Sequence, residues 1–171
     1  MDTKNKTIPI TFEQLVKEYQ ERLYWHIRRM VLSHDDADDV LQNTFIKVYK
    51  NLNNFKGESK IYTWLYRIAT NESITFINKR AKRLRLSSEA LQSVMVDNLK
   101  ADSYFDGEEA QLKLQRAINS LPAKQKQVFL LKYYDEMQYN EMSEILDTSV
   151  GALKASYHHA VKKITAFLTE D

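Results

Sequence analysis

Apolar side chains recur every three or four residues along most of this chain, and few residues interrupt the pattern. Only three glycines and two prolines occur in 171 residues, which is low for a protein built from sheets and tight turns. Long helical repeats with few breaks predict an all-α fold. Because 43% of the residues are hydrophobic, the chain can fill real cores, and wholesale disorder is not expected.

The first two predicted helices are marked by their N-termini. Thr11 and Gln14 have the spacing of a capping box, and the apolar repeat that follows ends near Ser33. The second helix begins with acidic residues, which are either metal ligands or favourable charges at a helix N-terminus, each worth about 0.3–1 kcal/mol. No glycine-containing calcium loop accompanies them, so we reject the metal interpretation and expect no metal or other cofactor. These acids are Asp35, Asp36, Asp38 and Asp39.

The third predicted helix carries the most informative polar pattern. A short loop with Gly57 precedes it, where glycine permits a tight turn, and Ser59 is the expected N-cap. Amides, hydroxyls, an aromatic edge and cations on its outer face suit single-stranded nucleic acid, although such a face can also be merely solvated. The outer face and the basic run after it comprise Thr63, Trp64, Arg67, Asn71, Asn78, Lys79, Arg80, Lys82, Arg83 and Arg85.

The middle of the chain separates two units. From Leu86 to Glu109 the helical pattern decays and acids outnumber bases. We interpret this segment mainly as a flexible acidic linker, although it also allows a short helix near Glu89–Val96. The predicted organisation is therefore two small helical domains, 1–85 and 110–171, joined by a linker over 86–109.

The second domain predicts a helix-turn-helix unit. Its first helices meet at Leu121-Pro122, and a short helix then ends at the turn Asp147-Thr148-Ser149, where Ser149 can cap a longer helix. Similar patterns also arise by chance in helical bundles. The outward face of the long helix carries small and basic residues: Lys154, Ala155, His158, His159 and Lys162, with Ser156 at its border.

Composition limits the function classes. The net charge is only +2, so any nucleic acid must be bound by local patches. Because the chain has no cysteine, it has no disulfides, thiolate zinc sites or cysteine nucleophiles. It also has no glycine loop that could cradle a phosphate and no spaced set of histidine and carboxylate residues, so we expect no enzyme. The N-terminus lacks the apolar core of a signal peptide, and no apolar run approaches the roughly 20 residues that span a bilayer, so we expect a soluble cytoplasmic protein.

Taken in order, these features resemble the extracytoplasmic-function sigma factors, the two-domain members of the sigma-70 family. The resemblance runs from about Phe12 to Ile164. Four segments carry it: DDADDVLQNTFIKVYKNL, FKGESKIYTWLYRIATN, LPAKQKQVFLLKYYDEMQYNEMSEIL and SVGALKASYHHAVKK. The second of these is a specific match, whereas a helix-turn-helix alone would be a weak signal.

The resemblance implies a factor that binds core RNA polymerase and promoter DNA and directs initiation without a catalytic group of its own. The second helix would dock on polymerase, and by its spacing Phe45 belongs to the core rather than to that surface. Some family members are also held by an anti-sigma factor, although no residue here identifies one. The polymerase-binding residues implied are Asp36, Asp39, Gln42 and Asn43.

By the same resemblance, each domain would contact one promoter element. The loop and third helix would receive a base flipped out of the −10 element, through Lys56, Gly57, Glu58, Ser59, Lys60, Trp64, Arg67, Asn71, Lys79, Arg80, Lys82 and Arg83. The recognition helix would enter the major groove at the −35 element, through Ser149, Lys154, Ala155, Ser156, His158, His159 and Lys162.

Three places depart from the family's pattern. Asn43 stands where an acid is common, and Ser156 and Val161 stand where arginines are frequent, which leaves few strong cations for the −35 element. Asp147 replaces a frequent glycine, but aspartate tolerates the left-handed conformation, so the turn should survive. The alternative is a helix-turn-helix regulator that never joins polymerase, which leaves the Phe55–Asn71 stretch unexplained; a purely structural scaffold explains neither surface.

Overall fold

The protein is described here from a computed structural model that covers residues 10–103 and 105–170. Within these residues the chain forms α-helices and short 3-10 turns, with no strand, so the predicted all-α fold is confirmed. The signal-peptide expectation rests on residues that lie outside the described ranges. The helices are α1 (Phe12–Val31), α2 (His34–Asn51), α3 (Ile61–Leu84), α4 (Ser88–Asp97), α5 (Glu109–Asn119), α6 (Ala123–Tyr133), α7 (Tyr139–Leu146) and α8 (Val150–Thr169), with 3-10 turns at Leu52–Asn54 and Leu99–Ala101.

The first three helices pack against one another around a shared apolar core. The predicted capping box of α1 is present: the Gln14 amide donates to Thr11 Oγ1 at 3.2 Å, and the Thr11 amide donates to Gln14 Oε1 at 2.9 Å. Phe45 is buried in this core, as its spacing predicts. Tyr49, which continues the apolar repeat of α2, is instead 68% exposed, and its ring lies 5.2 Å from that of Phe12.

The segment between the domains contains α4, which confirms the short helix that the sequence allowed. Leu91, Val96 and Leu99 are buried, and α4 packs against both α3 and α5. The segment is therefore more ordered than its decaying pattern indicates. Its acids, such as Glu89 and Asp97, are exposed. In the sequence these acids make the helical pattern hard to recognise, although the other face of α4 is apolar and packs against α3 and α5.

Helices α5 to α8 form the second unit, in which α8 packs against α5, α6 and α7. Asp147 adopts the left-handed conformation with φ 50°, as expected of an aspartate in place of glycine. Ser149 caps α8 by accepting from the Ala152 amide at 3.2 Å. Leu168, in the last turn of α8, is 36% exposed.

The two units contact each other directly. Helix α7 lies against α3, and α6 contacts α1. The buried apolar side chains of both units belong to one continuous cluster. This contact brings the helix-turn-helix beside the polar face of α3. The sequence predicts that this face binds single-stranded nucleic acid. No helix in the described ranges is long and apolar enough to cross a membrane.

Candidate nucleic-acid interface

The loop before α3 is exposed and shaped by its glycine. Gly57 has φ +72°, in the left-handed region, and its missing side chain faces open space. Lys56, Glu58 and Lys60 beside it are exposed as well. The expected capping role of Ser59 is wrong: α3 starts one residue later, so Lys60 occupies the N-cap position without a side-chain cap.

The loop and the start of α3 enclose one side of a cleft of about 430 Å³. Trp64 and Arg67 line it, and the Trp64 ring lies 5.0 Å from that of Phe55. Asn71 lies one turn further along α3, exposed and outside the cleft. The structure therefore brings the loop, an aromatic pair and a cation together, with Asn71 adjacent.

Thr63 does not belong to the outer polar face that the sequence predicts. Its exposed fraction is 2%, and its Oγ1 has no hydrogen-bond partner among the described residues. Ser143, Glu144 and Asp147 of the second unit line the same cleft as Thr63. Helical periodicity places Thr63 opposite the apolar face of α3, but it could not show that a second unit lies beside that position.

The basic residues at the end of α3 have two different environments. Lys79, Lys82 and Arg83 are exposed, as predicted. Arg80 instead forms an ion pair with Asp36 at the start of α2. Thus one residue predicted for DNA and one predicted for polymerase bind each other in this structure, because the end of α3 passes the start of α2.

The other residues of α2 that are predicted to bind polymerase lie on the surface. Asp39, Gln42 and Asn43 are exposed on neighbouring turns of one helix face. Exposed Ile46 follows on the same side of the helix, and α2 packs mainly against α1 and α3.

The outward face of α8 is open. Lys154, Ala155, His158, His159 and Lys162 are exposed, and Ser156 is half-buried at the border, as the sequence predicts. The periodicity analysis missed Tyr139 of α7, whose ring lies 5.7 Å from the Lys154 ammonium and 4.6 Å from that of Lys132. An aromatic ring so placed attracts both cations and favours a position of the Lys154 ammonium near the first turn of α8.

Comparison with known proteins assigns the family. The sequence model of Sigma-70 region 2 matches residues 15–83, and that of Sigma-70, region 4 matches residues 111–164. The chain is 32% identical over 155 residues to the ECF RNA polymerase sigma factor SigW of Bacillus subtilis, which covers 86% of this chain and 83% of that protein. This chain belongs to the extracytoplasmic-function sigma factors. It is also 31% identical to the ECF RNA polymerase sigma-E factor of Escherichia coli, over 90% of this chain and 84% of that one.

Two solved structures share the fold of this sigma factor. The sigma factor RpoE of Bartonella quintana, solved with the anti-sigma factor NepR, superposes with a TM-score of 0.71 at 20% identity, covering 94% of this chain and 98% of that one. CnrH, solved with the cytosolic domain of CnrY, superposes with a TM-score of 0.67 at 25% identity, covering 92% and 86%.

A buried polar cluster, which no sequence pattern indicates, joins the two halves of the sigma factor. Asp135, after α6, accepts a hydrogen bond from the Tyr66 hydroxyl at 3.1 Å and lies 3.3 Å from His26 Nδ1. His26 is buried and shares a 2.8 Å hydrogen bond with Thr70 through Nε2. Burial, and next the charge of Asp135, raise the pKa of Tyr66, so its hydroxyl stays protonated and donates.

Proposed function

We propose that this sigma factor reads the −10 and −35 elements with two separate surfaces while it is bound to core RNA polymerase. The observation that carries the proposal is that one family member has both an exposed glycine loop beside Trp64 and Arg67 and a separate, exposed outward face on α8. Neither surface requires a catalytic group, because the polymerase supplies the chemistry. We expect the protein to act in the cytoplasm, where polymerase and promoter are.

At the −10 element the loop and α3 capture an extruded base. Extrusion costs a few kcal/mol, and stacking on an aromatic ring such as Trp64 returns about 1–3 kcal/mol per base. Arg67 and Asn71 supply a cation and an amide on the adjoining face. Lys56, together with Lys79, Lys82 and Arg83, provides exposed positive charge for the strand's phosphates. Only sequences whose base fits this surface offset the extrusion cost, so opening becomes selective.

At the −35 element α8 lies in the major groove. Lys154 and Lys162 contact phosphates or guanine edges, and His158 and His159 lie on the same exposed face. Ser149 is engaged in capping, so its hydroxyl positions the helix start rather than reading a base. The two DNA surfaces need not bind tightly on their own, because polymerase and linker hold both near one promoter.

Two protein partners follow from the family. Asp39, Gln42 and Asn43 form the proposed polymerase-docking face, and the pairing of Asp36 with Arg80 makes Asp36 a support for α2 rather than a direct contact. An anti-sigma factor is a further proposed partner, since the structurally similar RpoE was solved with one.

Run-off transcription with core polymerase tests the proposal. Promoters selected from a random library by the assembled holoenzyme should give discrete products, and scrambling the −35 or −10 segment of a selected template should abolish them. A core-only reaction and an exposed-surface variant, Lys17→Ala on α1, serve as controls. Sequence-specific duplex binding without any promoter-dependent product would instead show a helix-turn-helix regulator that does not join polymerase.

A further inference from the structure

A small cavity lies where α4, in the segment between the domains, meets α3 and α6. We propose that this cavity binds a short monocarboxylate of the size of acetate or propionate. The carboxylate of the ligand pairs with the ammonium of Lys126, and its carbon chain lies on an apolar floor. Among the described residues that line the cavity, none belongs to the two proposed DNA surfaces, so the inference does not rest on the proposed function.

The cavity contains a buried positive charge without a counter-charge. Only 5% of Lys126 is exposed. Its ammonium donates to Asn119 Oδ1 at 2.9 Å and to Gln92 Oε1, so two neutral amides accept from two of its three N–H donors. Within the described ranges it forms no ion pair. An unpaired buried ammonium is unfavourable, and burial lowers the pKa of Lys126 to about 8. A bound carboxylate would supply the missing charge and accept from the third donor.

The volume and the lining of the cavity select the ligand. The volume is about 80 Å³, whereas a dry cavity of about 150 Å³ holds the six heavy atoms of benzene. The space therefore suits a ligand of about three to five heavy atoms, as in acetate and propionate. Met30, Ile77 and Leu130 are buried and form the apolar floor. Inorganic phosphate would place oxygen atoms against these side chains without hydrogen-bond donors, so a monocarboxylate with a carbon chain fits better.

The rim of the cavity is polar and reaches the solvent. Asn78 and Glu89 are exposed there, and Ser88 donates to Asn78 Oδ1 at 2.9 Å. A small ligand can therefore reach the cavity from the surface. Glu89 is the only other ionisable residue among the described residues that line the cavity. Its negative charge opposes a carboxylate ligand, so removing that charge should tighten binding.

Methyl NMR on the full chain tests the site. Sodium acetate replaces sodium chloride at constant ionic strength and pH 6.5, while the isoleucine and leucine methyl groups carry ¹³C. The methyl signals of Ile74, Ile77 and Leu130 should shift along a saturable curve, and that of Ile164, which is buried in α8 outside the cavity, should not. So small a ligand is expected to bind with a dissociation constant of about 0.5–10 mM. Sodium phosphate should give no saturable shift.

Two variants and a pH series identify the partner of the carboxylate. Lys126→Met should abolish the saturable shift, whereas the exposed Lys124→Met on the same helix should leave it unchanged. Glu89→Gln should lower the dissociation constant about twofold, as expected for an exposed charge. For wild type the dissociation constant should rise about 30-fold from pH 7 to pH 9.5, because Lys126, with a pKa of about 8, loses its proton over this range.

Three results would overturn the site. The first is a set of shifts that stay linear with acetate and match those in chloride, which would mean that the cavity holds only water. The second is a saturable curve that Lys126→Met retains, and the third is a dissociation constant that does not change between pH 7 and pH 9.5. Circular dichroism and the Ile164 methyl signal check that Lys126→Met is folded. The pH series on wild type needs no variant, so it decides the question even if Lys126→Met unfolds.

Discussion

Lys126 should give this sigma factor a pH-dependent stability that a single substitution removes. Its side chain lies in a cavity of about 80 Å³ bounded by residues of α1, α3, α4, α5 and α6, and only 5% of it is exposed. The ammonium donates to Asn119 Oδ1 at 2.9 Å and to Gln92 Oε1. No carboxylate among the described residues lies within ion-pair distance of it. Burial therefore lowers the pKa of Lys126 from 10.5 to about 8, against a smaller opposing effect of Glu89.

The sign of the effect follows from which state holds the proton. Below about pH 8 the lysine is protonated in both the folded and the unfolded chain. Between about pH 8 and pH 10.5 the unfolded chain keeps a proton that the folded chain has lost, so the free energy of unfolding rises with pH. A difference of one pKa unit corresponds to about 1.4 kcal/mol. With these two pKa values, the free energy of unfolding rises by about 2 kcal/mol from pH 7 to pH 9.5.

Urea unfolding of wild type and Lys126→Met, followed by circular dichroism over this pH range, measures the gain. Methionine has a similar volume and does not titrate, and the tyrosines titrate in both proteins, so their contributions cancel in the difference. The free energy of unfolding of wild type relative to Lys126→Met should rise by about 2 kcal/mol between pH 7 and pH 9.5. The exposed neighbour Lys124→Met should show no such slope. If the difference in free energy of unfolding between wild type and Lys126→Met does not change with pH, the claim that burial destabilises this ammonium is wrong.

Three further predictions test the two domains separately. Asn71→Ala should reduce permanganate reactivity of unpaired thymines at the −10 element while polymerase association stays intact; unchanged reactivity would remove Asn71 from the proposed surface. Lys154→Ala should weaken binding to a selected −35 duplex and reduce the salt dependence of that binding by about one phosphate contact, whereas equal loss on scrambled duplex would leave it a role in positioning only. Leu23→Ala, at a fully buried position, should lower the free energy of unfolding by about 2–5 kcal/mol, and a loss below 1 kcal/mol in urea titrations would show that the site collapses around the deletion.

Features that depend on a few neighbouring residues could be predicted from the sequence. The capping box of Thr11 and Gln14, the left-handed Asp147 and the cap at Ser149 all follow from bonds or backbone angles within four residues. Ser59 shows the limit of this reasoning, since a start of α3 only one residue later leaves Lys60 at the cap position.

Contacts between distant segments could not be predicted in the same way. Periodicity shows which face of a helix is apolar, but it does not show which polar face another helix will cover. Thr63 is buried in a cleft that residues of α7 also line, and Asp36 pairs with Arg80 across 44 residues. Asp135, which holds His26 and Tyr66, follows a helix as an ordinary exposed loop acid would. Its role depends on a domain contact that no local pattern encodes.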